Sequence, residues 1–364
     1  MKKILLTLIL FVLIAGCAKQ EVTKEGPISE PQVEETRPEV TGEKPAEEPE
    51  EVIPQPPTGA VSVYKGFWMP CMFMDDKCQP MSDAKLLKEA GANIAAFAPT
   101  LMINPQGEVS FLREQMPMEE QLKWGDKRVG ELAEKYYKEG IRIHLVIDSL
   151  YVNDFSETTP AGGAPSFPKS SAEKPGFLDE YNKVVEEVAK IAEKYHVEIF
   201  SPMNEPDMKL GEKAASKWGQ EVLPLIKKHY HGKVLWKAAL IQGAGPNINF
   251  KGYDAIGMDP SPGGGPYGGI EAYDEDIEKM LNDALSWAKR DNVPYVMFTE
   301  FGVWGGALSF TEEQKAIAHR IVFEKGQGKV KGFIALDPPA DLDRAITGTK
   351  TLEEIKTWFK EKLK

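Results

Sequence analysis

Two glutamates carry the strongest chemical signal in this chain. Glu205 closes the run Val197–Pro206, VEIFSPMNEP, and Glu300 stands near the end of Pro294–Gly302, PYVMFTEFG. Each run is apolar, rich in β-branched and aromatic residues, and of strand length. By the period-2 rule Ile199, Ser201, Met203 and Glu205 share one face of the first run, and Val296, Phe298 and Glu300 share one face of the second. A carboxylate on a face that its neighbours bury is costly unless it has a partner or a task. One such Glu alone reads as a solvated loop residue. Two of them, 95 positions apart (300 minus 205), read as a carboxylate pair for acid–base or nucleophilic work.

Strand ends so distant in sequence must be brought together by the fold. Strand patterns fall at Ser62–Met69, Asn93–Thr100, Ile141–Ser149, Val197–Pro206, Lys233–Leu240, Tyr253–Pro260, Pro294–Gly302 and Lys329–Asp337. Helical patterns stand between them: Ser82–Ala90 with Ser82 as N-cap, Met118–Glu139 closed by Gly140, Gly176–Tyr195, Gly211–Tyr230, Asp274–Arg290, Thr311–Lys325 and a final Leu352–Leu363. Only Gln242–Gly252 is too short for a full helix. Eight strands, apolar on both faces and alternating with helices, predict an α/β protein with a (β/α)8 TIM barrel over residues 59–364. The count places Glu205 at the end of the fourth strand and Glu300 at the end of the seventh, and active sites of such barrels lie at those ends.

Residues 1–17 have a basic start, an apolar run Ile4–Ile14 and then Ala15-Gly16-Cys17. This looks like a lipoprotein signal peptide, which implies cleavage before Cys17 and lipid on its thiol; an uncleaved anchor helix is the alternative. Both readings put the domain outside the cytoplasm and tie it to the cell membrane. Residues 18–58 are dominated by Glu and Pro and predict a disordered acidic linker. At ~3.1 Å per residue its reach is on the order of 100 Å.

The net charge of −12 argues against nucleic acid as a partner. Setting Cys17 aside leaves Cys71 and Cys78, a pair expected to form a disulfide in an exported domain, with two free thiols as the alternative. The five His are scattered, so neither metal nor cofactor is expected.

Asn204-Glu205-Pro206 on one strand and Thr299-Glu300-Phe301-Gly302 on a later one resemble the clan of retaining, TIM-barrel glycoside hydrolases that includes many cellulases and β-mannanases. The resemblance implies that Glu205 is the acid/base, Glu300 the nucleophile, and Asn204 the partner of the 2-hydroxyl beside the reacting carbon. That clan also carries an Arg at the end of the second strand, a Tyr or His on the sixth and a Trp at the end of the eighth. Here those positions read Ala98-Pro99-Thr100, Ala255–Pro260 and Leu336-Asp337-Pro338.

Trp68 ends the first strand and Trp304 follows the seventh; both are candidate sugar-stacking residues, with Tyr267 in a Gly-rich loop as another. Asp148, Asp259 and Asp337 end the third, sixth and eighth strands; each is suited to binding a hydroxyl, capping a helix or pairing with Lys. The expected activity is retaining hydrolysis of a β-linked glycan, β-glucan or β-mannan in type, by a lipid-anchored monomer. A non-catalytic sugar-binding barrel and a solute-binding lipoprotein of a sugar transporter are the rivals.

Overall fold

The computed structural model describes residues 53–70, 80–103, 109–111, 117–151, 176–239, 247–260, 269–302, 310–337, 346 and 349–364. The expectations for Cys17, Cys71, Cys78, Tyr267 and Trp304 fall outside them. Glu51–Lys364 form one compact unit.

The strands are β1 (Tyr64–Met69), β2 (Ile94–Phe97), β3 (Thr100–Ile103), β4 (Val109–Phe111), β5 (Arg142–Val146), β6 (Asp148–Tyr151), β7 (Ile199–Ser201), β8 (Lys233–Ala238), β9 (Ala255–Met258), β10 (Tyr295–Phe301) and β11 (Gly332–Leu336). Eight of them close a parallel barrel in the order β1-β11-β10-β9-β8-β7-β5-β2. The expected fold is therefore observed, with β7 as the fourth barrel strand and β10 as the seventh. Outside it lie the helices α1 (Ala84–Glu89), α2 (Met118–Tyr137), α3 (Phe177–Lys194), α4 (Pro206–Leu210), α5 (Glu212–Lys227), α6 (Ile270–Asp291), α7 (Glu312–Gly326) and α8 (Lys350–Thr357), with a 3-10 turn at Pro80–Ser82 and a π-helical turn at Trp358–Lys362.

Two apolar layers result. Trp68, Ile94, Ala96, Val146, Ile199, Leu235, Met297 and Ile334 fill the barrel interior. Phe67, Phe97, Ile143, Phe200, Val234, Val296 and Phe298 point outwards into the larger core shared with the helices. Close approach of one helix depends on Gly219: a Cβ there would lie 2.1 Å from a ring carbon of Trp236 on β8.

Several boundaries differ from the sequence reading, each for a local reason. The second and third barrel strands do not run on as expected. They break at Ala98-Pro99 and at Ile147, and the chain resumes as β3 and β6, which pair in parallel with Thr100 opposite Asp148. Pro99 has no N–H to donate and disfavours continuation of a ladder. With β4 antiparallel to β3, these form a separate three-stranded sheet. The cap of α1 is Asp83 rather than Ser82: its Oδ1 accepts from the N–H groups of Lys85 and Leu86, while Ser82 lies in the preceding 3-10 turn.

The end of the barrel opposite the strand C-termini is closed by polar side chains. Glu198 accepts from Tyr64 Oη and Lys233 Nζ, both at 2.5 Å, and pairs with Arg142 Nε at 3.4 Å. Burial opposes the charge on Glu198, but these partners hold its carboxyl below the usual range. Arg142 also donates to the carbonyls of Pro57, Thr58 and Gly59 at 3.2, 3.3 and 2.7 Å. The carbonyls of Pro57, Thr58 and Gly59 thus help to satisfy a buried guanidinium at the start of β5.

Candidate active site

Glu205 and Glu300 reach the same end of the barrel by routes that strict alternation does not describe. In the fourth strand, Ile199 faces the interior, but Pro202 ends the ladder and Met203 turns into the outer core. Asn204 then bridges to Lys237 on β8, and Glu205 is the N-cap of α4 with φ of 50°. Glu205 is therefore not on the Ile199 face of a strand. A non-glycine residue in the left-handed region costs about 1–3 kcal/mol, and such strain concentrates at functional sites. The Glu205 carboxyl makes no capping hydrogen bond, and Pro206 fills the first position of α4, where an N–H has no helical partner.

In the seventh strand Val296 and Phe298 face outwards, so alternation alone would bury Glu300 against the helices. The register between β10 and β11 shifts between Phe298 and Phe301. This bulge lets Thr299 and Glu300 both turn to the interior end of the barrel, the re-aiming that bulges near active sites often supply. The expected common face for Val296, Phe298 and Glu300 is thereby corrected.

Lys237 stands at the centre. It is fully buried, and its Nζ donates to Asn204 Oδ1 at 2.6 Å, Asp259 Oδ2 at 2.5 Å and Glu300 Oε2 at 2.8 Å. The Trp68 ring lies under the ammonium, 4.8 Å from Nζ to centroid. Asp259 also accepts from Thr299 Oγ1 at 2.6 Å, so both of its oxygens are engaged. Below this layer His144 Nε2 lies 2.9 Å from Ser201 Oγ. Burial, aided by the charge on Lys237, pushes His144 down to about 3 and keeps its ring neutral.

The electrostatics divide the acidic groups. Burial and then the neighbouring charge of Glu300 push the carboxyl of Glu205 up to about 8, against the pull of Lys237. The direction of this shift favours the protonated form of Glu205. Burial opposes the ammonium of Lys237, but Asp259, Glu300 and Glu205 more than offset it and raise its pKa. Burial also raises Asp259, with Lys237 and Thr299 pulling it back. A proton donor, an acceptor carboxylate and a fixed cation at one barrel mouth can support acid–base or nucleophilic displacement.

The other sequence candidates separate from one another. Asn204 and Trp68 join the cluster, Trp68 as a side chain only 2% exposed. Asp148 accepts from Lys209 Nζ at 2.6 Å, an ion pair tying the third strand end to α4. Asp259 pairs with Lys237, and Asp337 accepts the N–H of Met81 at 2.7 Å. Sequence reasoning passes over Lys237 itself. The signal was present: in Lys233–Leu240, KVLWKAAL, Lys237 shares a face with Leu235, and a cation on an interior face needs partners.

Comparison with solved structures adds the architecture. A GH113 β-1,4-mannanase matches with a TM-score of 0.61 at 17% identity, over 83% of this chain and 100% of the other. The shared feature is the barrel. The GH113 β-mannanase of Alicyclobacillus acidocaldarius matches at 0.61 and 15% identity, over 82% of this chain and 97% of that one. The endo-1,4-β-D-mannanase of Thermotoga petrophila matches at 0.59 and 12%, over 82% and 99%. A search of family models gave no match, and neither did a search of curated proteins.

Proposed function

We propose that this chain is a glycoside hydrolase that cleaves a β-linked polysaccharide or oligosaccharide by double displacement. The observation that carries the proposal is the convergence of Glu205 and Glu300 on Lys237 at the end of the fourth and seventh barrel strands, Glu205 through its main-chain N–H and Glu300 through its side chain, with burial and the Glu300 charge raising the Glu205 carboxyl. In the first step a Glu300 oxygen attacks the anomeric carbon as the bond to the leaving oxygen breaks, and Glu205 gives that oxygen its proton. In the second step Glu205 takes a proton from water, the water oxygen attacks the same carbon, and Glu300 departs as a carboxylate. Asn204 meets the 2-hydroxyl beside that carbon. β-Mannan and β-glucan are the leading substrate types, supported by mannanases among the similar folds.

A reducing-sugar assay over β-mannan, β-glucan, xylan and galactan tests this, with Glu300→Gln as the control. Release by the parent, loss in the variant and retention of anomeric configuration support the reading. Binding without release supports a sugar-binding barrel instead, and an inverted product excludes double displacement. We further propose export and lipid attachment at Cys17, expected from its sequence context; palmitate labelling lost in Cys17→Ser is the corresponding test.

A further inference from the structure

We infer that Lys237 is a positioning residue that decides which atoms of Glu300 and Asn204 meet the sugar: Glu300 Oε1 attacks, and the Asn204 amide N–H group faces the 2-position. The inference rests on the glycosidase reading and extends it to a residue outside the acid/base and nucleophile pair.

The argument begins with donor counting. An ammonium has three N–H bonds and no acceptor. Lys237 spends them on Asn204, Asp259 and Glu300, and with the Trp68 ring under the charge it has no exposed side. Glu300 Oε2 is therefore bonded to a cation that draws off its electron density, which leaves Oε1, free of that bond, as the more nucleophilic oxygen. For Asn204 the oxygen and nitrogen of the amide are normally hard to tell apart. Here the chemistry decides, because only the oxygen can accept from an ammonium. The Nδ2 group is thus turned away from Lys237, and Asn204 meets the substrate as a donor.

Asp259 completes the arrangement as a counter-charge. Thr299 and Lys237 occupy its two oxygens, so it is not available to a substrate hydroxyl. It holds Lys237 in place and keeps a buried cation from facing one carboxylate alone. A substrate consequence follows. The group at the 2-position must accept a hydrogen bond, as a hydroxyl does. A 2-ammonio sugar has only donors there and is rejected, and a 2-deoxy sugar loses the contact.

The test uses Lys237→Met and the double variant Lys237→Met/Asp259→Asn, which removes both charges and preserves folding if the lone buried carboxylate does not. Crystal structures of these variants need no turnover. The expected result is that the Glu300 carboxylate and the Asn204 amide leave their parent positions in both. On a β-glycoside the parent hydrolyses, kcat should fall about 100-fold with KM nearly unchanged, as misplacement of a reacting group predicts. In Lys237→Ala, ethylammonium should restore turnover and ethanol should not. Unmoved Glu300 and Asn204 side chains in the double variant, or a kcat within a few-fold of the parent, would overturn the inference. If the parent hydrolyses no glycan, the glycosidase reading fails while the crystal structures still decide whether Lys237 positions the two groups.

Discussion

The main-chain N–H of Glu205 donates to the carbonyl oxygen of Lys237 at 3.0 Å. Glu205 is thus tied to the fifth barrel strand through its backbone, while its carboxyl is left to the mouth of the barrel. The same lysine reaches Glu300 through its side chain at 2.8 Å. One residue consequently sets both halves of the carboxylate pair, one by main chain and the other by side chain.

This arrangement predicts an alkaline limb. In the proposed mechanism Glu205 must be protonated for the first step, and burial with the Glu300 charge pushes its pKa up to about 8. Turnover of substrates with alkoxide leaving groups should fall tenfold per pH unit above about 8. Substrates with nitrophenolate leaving groups need no proton and should lack that limb. A rate measured from pH 5 to 10 on both kinds of substrate checks it; a shared limb would assign the titration to another group.

The same carboxyl should make the fold less stable as pH rises. Its folded pKa of about 8 lies above the 4.5 usual for a free glutamate, so between these values the native state holds a proton the unfolded state has lost. Its contribution to stability is therefore complete below pH 4.5 and is lost as pH climbs to 8. Glu205→Gln escapes this loss. The variant should melt at a temperature similar to the parent at pH 4 and clearly above it at pH 8, while losing turnover of unactivated glycans. Parallel melting curves across that window would contradict the assigned shift.

A third expectation concerns the start of the folded unit. A chain begun at Val61 lacks the carbonyls of Pro57, Thr58 and Gly59 and leaves the buried Arg142 guanidinium short of acceptors. It should be less stable than one begun at Ile53 by roughly 1–3 kcal/mol, the cost of unsatisfied buried donors. Urea midpoints of the two chains measure the difference, and equal midpoints would mean that water replaces the lost partners. Their activities at 25 °C should match, since both remain folded.

Gly219→Ala tests the packing of α5 on the sheet. The new methyl would meet a Trp236 ring held edge-on against Phe250 and Tyr253, at centroid distances of 5.9 and 5.4 Å. Overpacking of this kind costs typically about 1–3 kcal/mol. Denaturant unfolding followed by tryptophan fluorescence gives the number, and an unchanged midpoint would show that the helix shifts freely.

Much of this architecture was legible because barrels write themselves in alternation. The run Ile141–Ser149 contains the third barrel strand, β5, even though it breaks at Ile147 and resumes as β6, and the places of Glu205 and Glu300 follow from counting such runs. The side chains were less legible where the backbone breaks its own period. Pro202 and the bulge after Phe298 each reset which face a residue occupies, and neither announces its direction in the sequence. Thr299 illustrates the point: its hydroxyl meets Asp259, a contact that depends on how β9 and β10 are registered. Lys237 was hidden differently. A lysine in an apolar run is often read as a surface residue whose stem covers its neighbours, and only the closed barrel shows that its head has no route to water.

The seal made by Glu198, Arg142, Tyr64 and Lys233 has a consequence for traffic. With that floor below and Ile94, Ile199, Leu235 and Met297 stacked above it, the barrel has no bore. Under the proposed activity, substrate, water and both products would share one doorway, the end where Glu205 and Glu300 stand. A polymer can lie across that doorway but cannot be threaded through it, and a fragment that lingers there obstructs the next arrival.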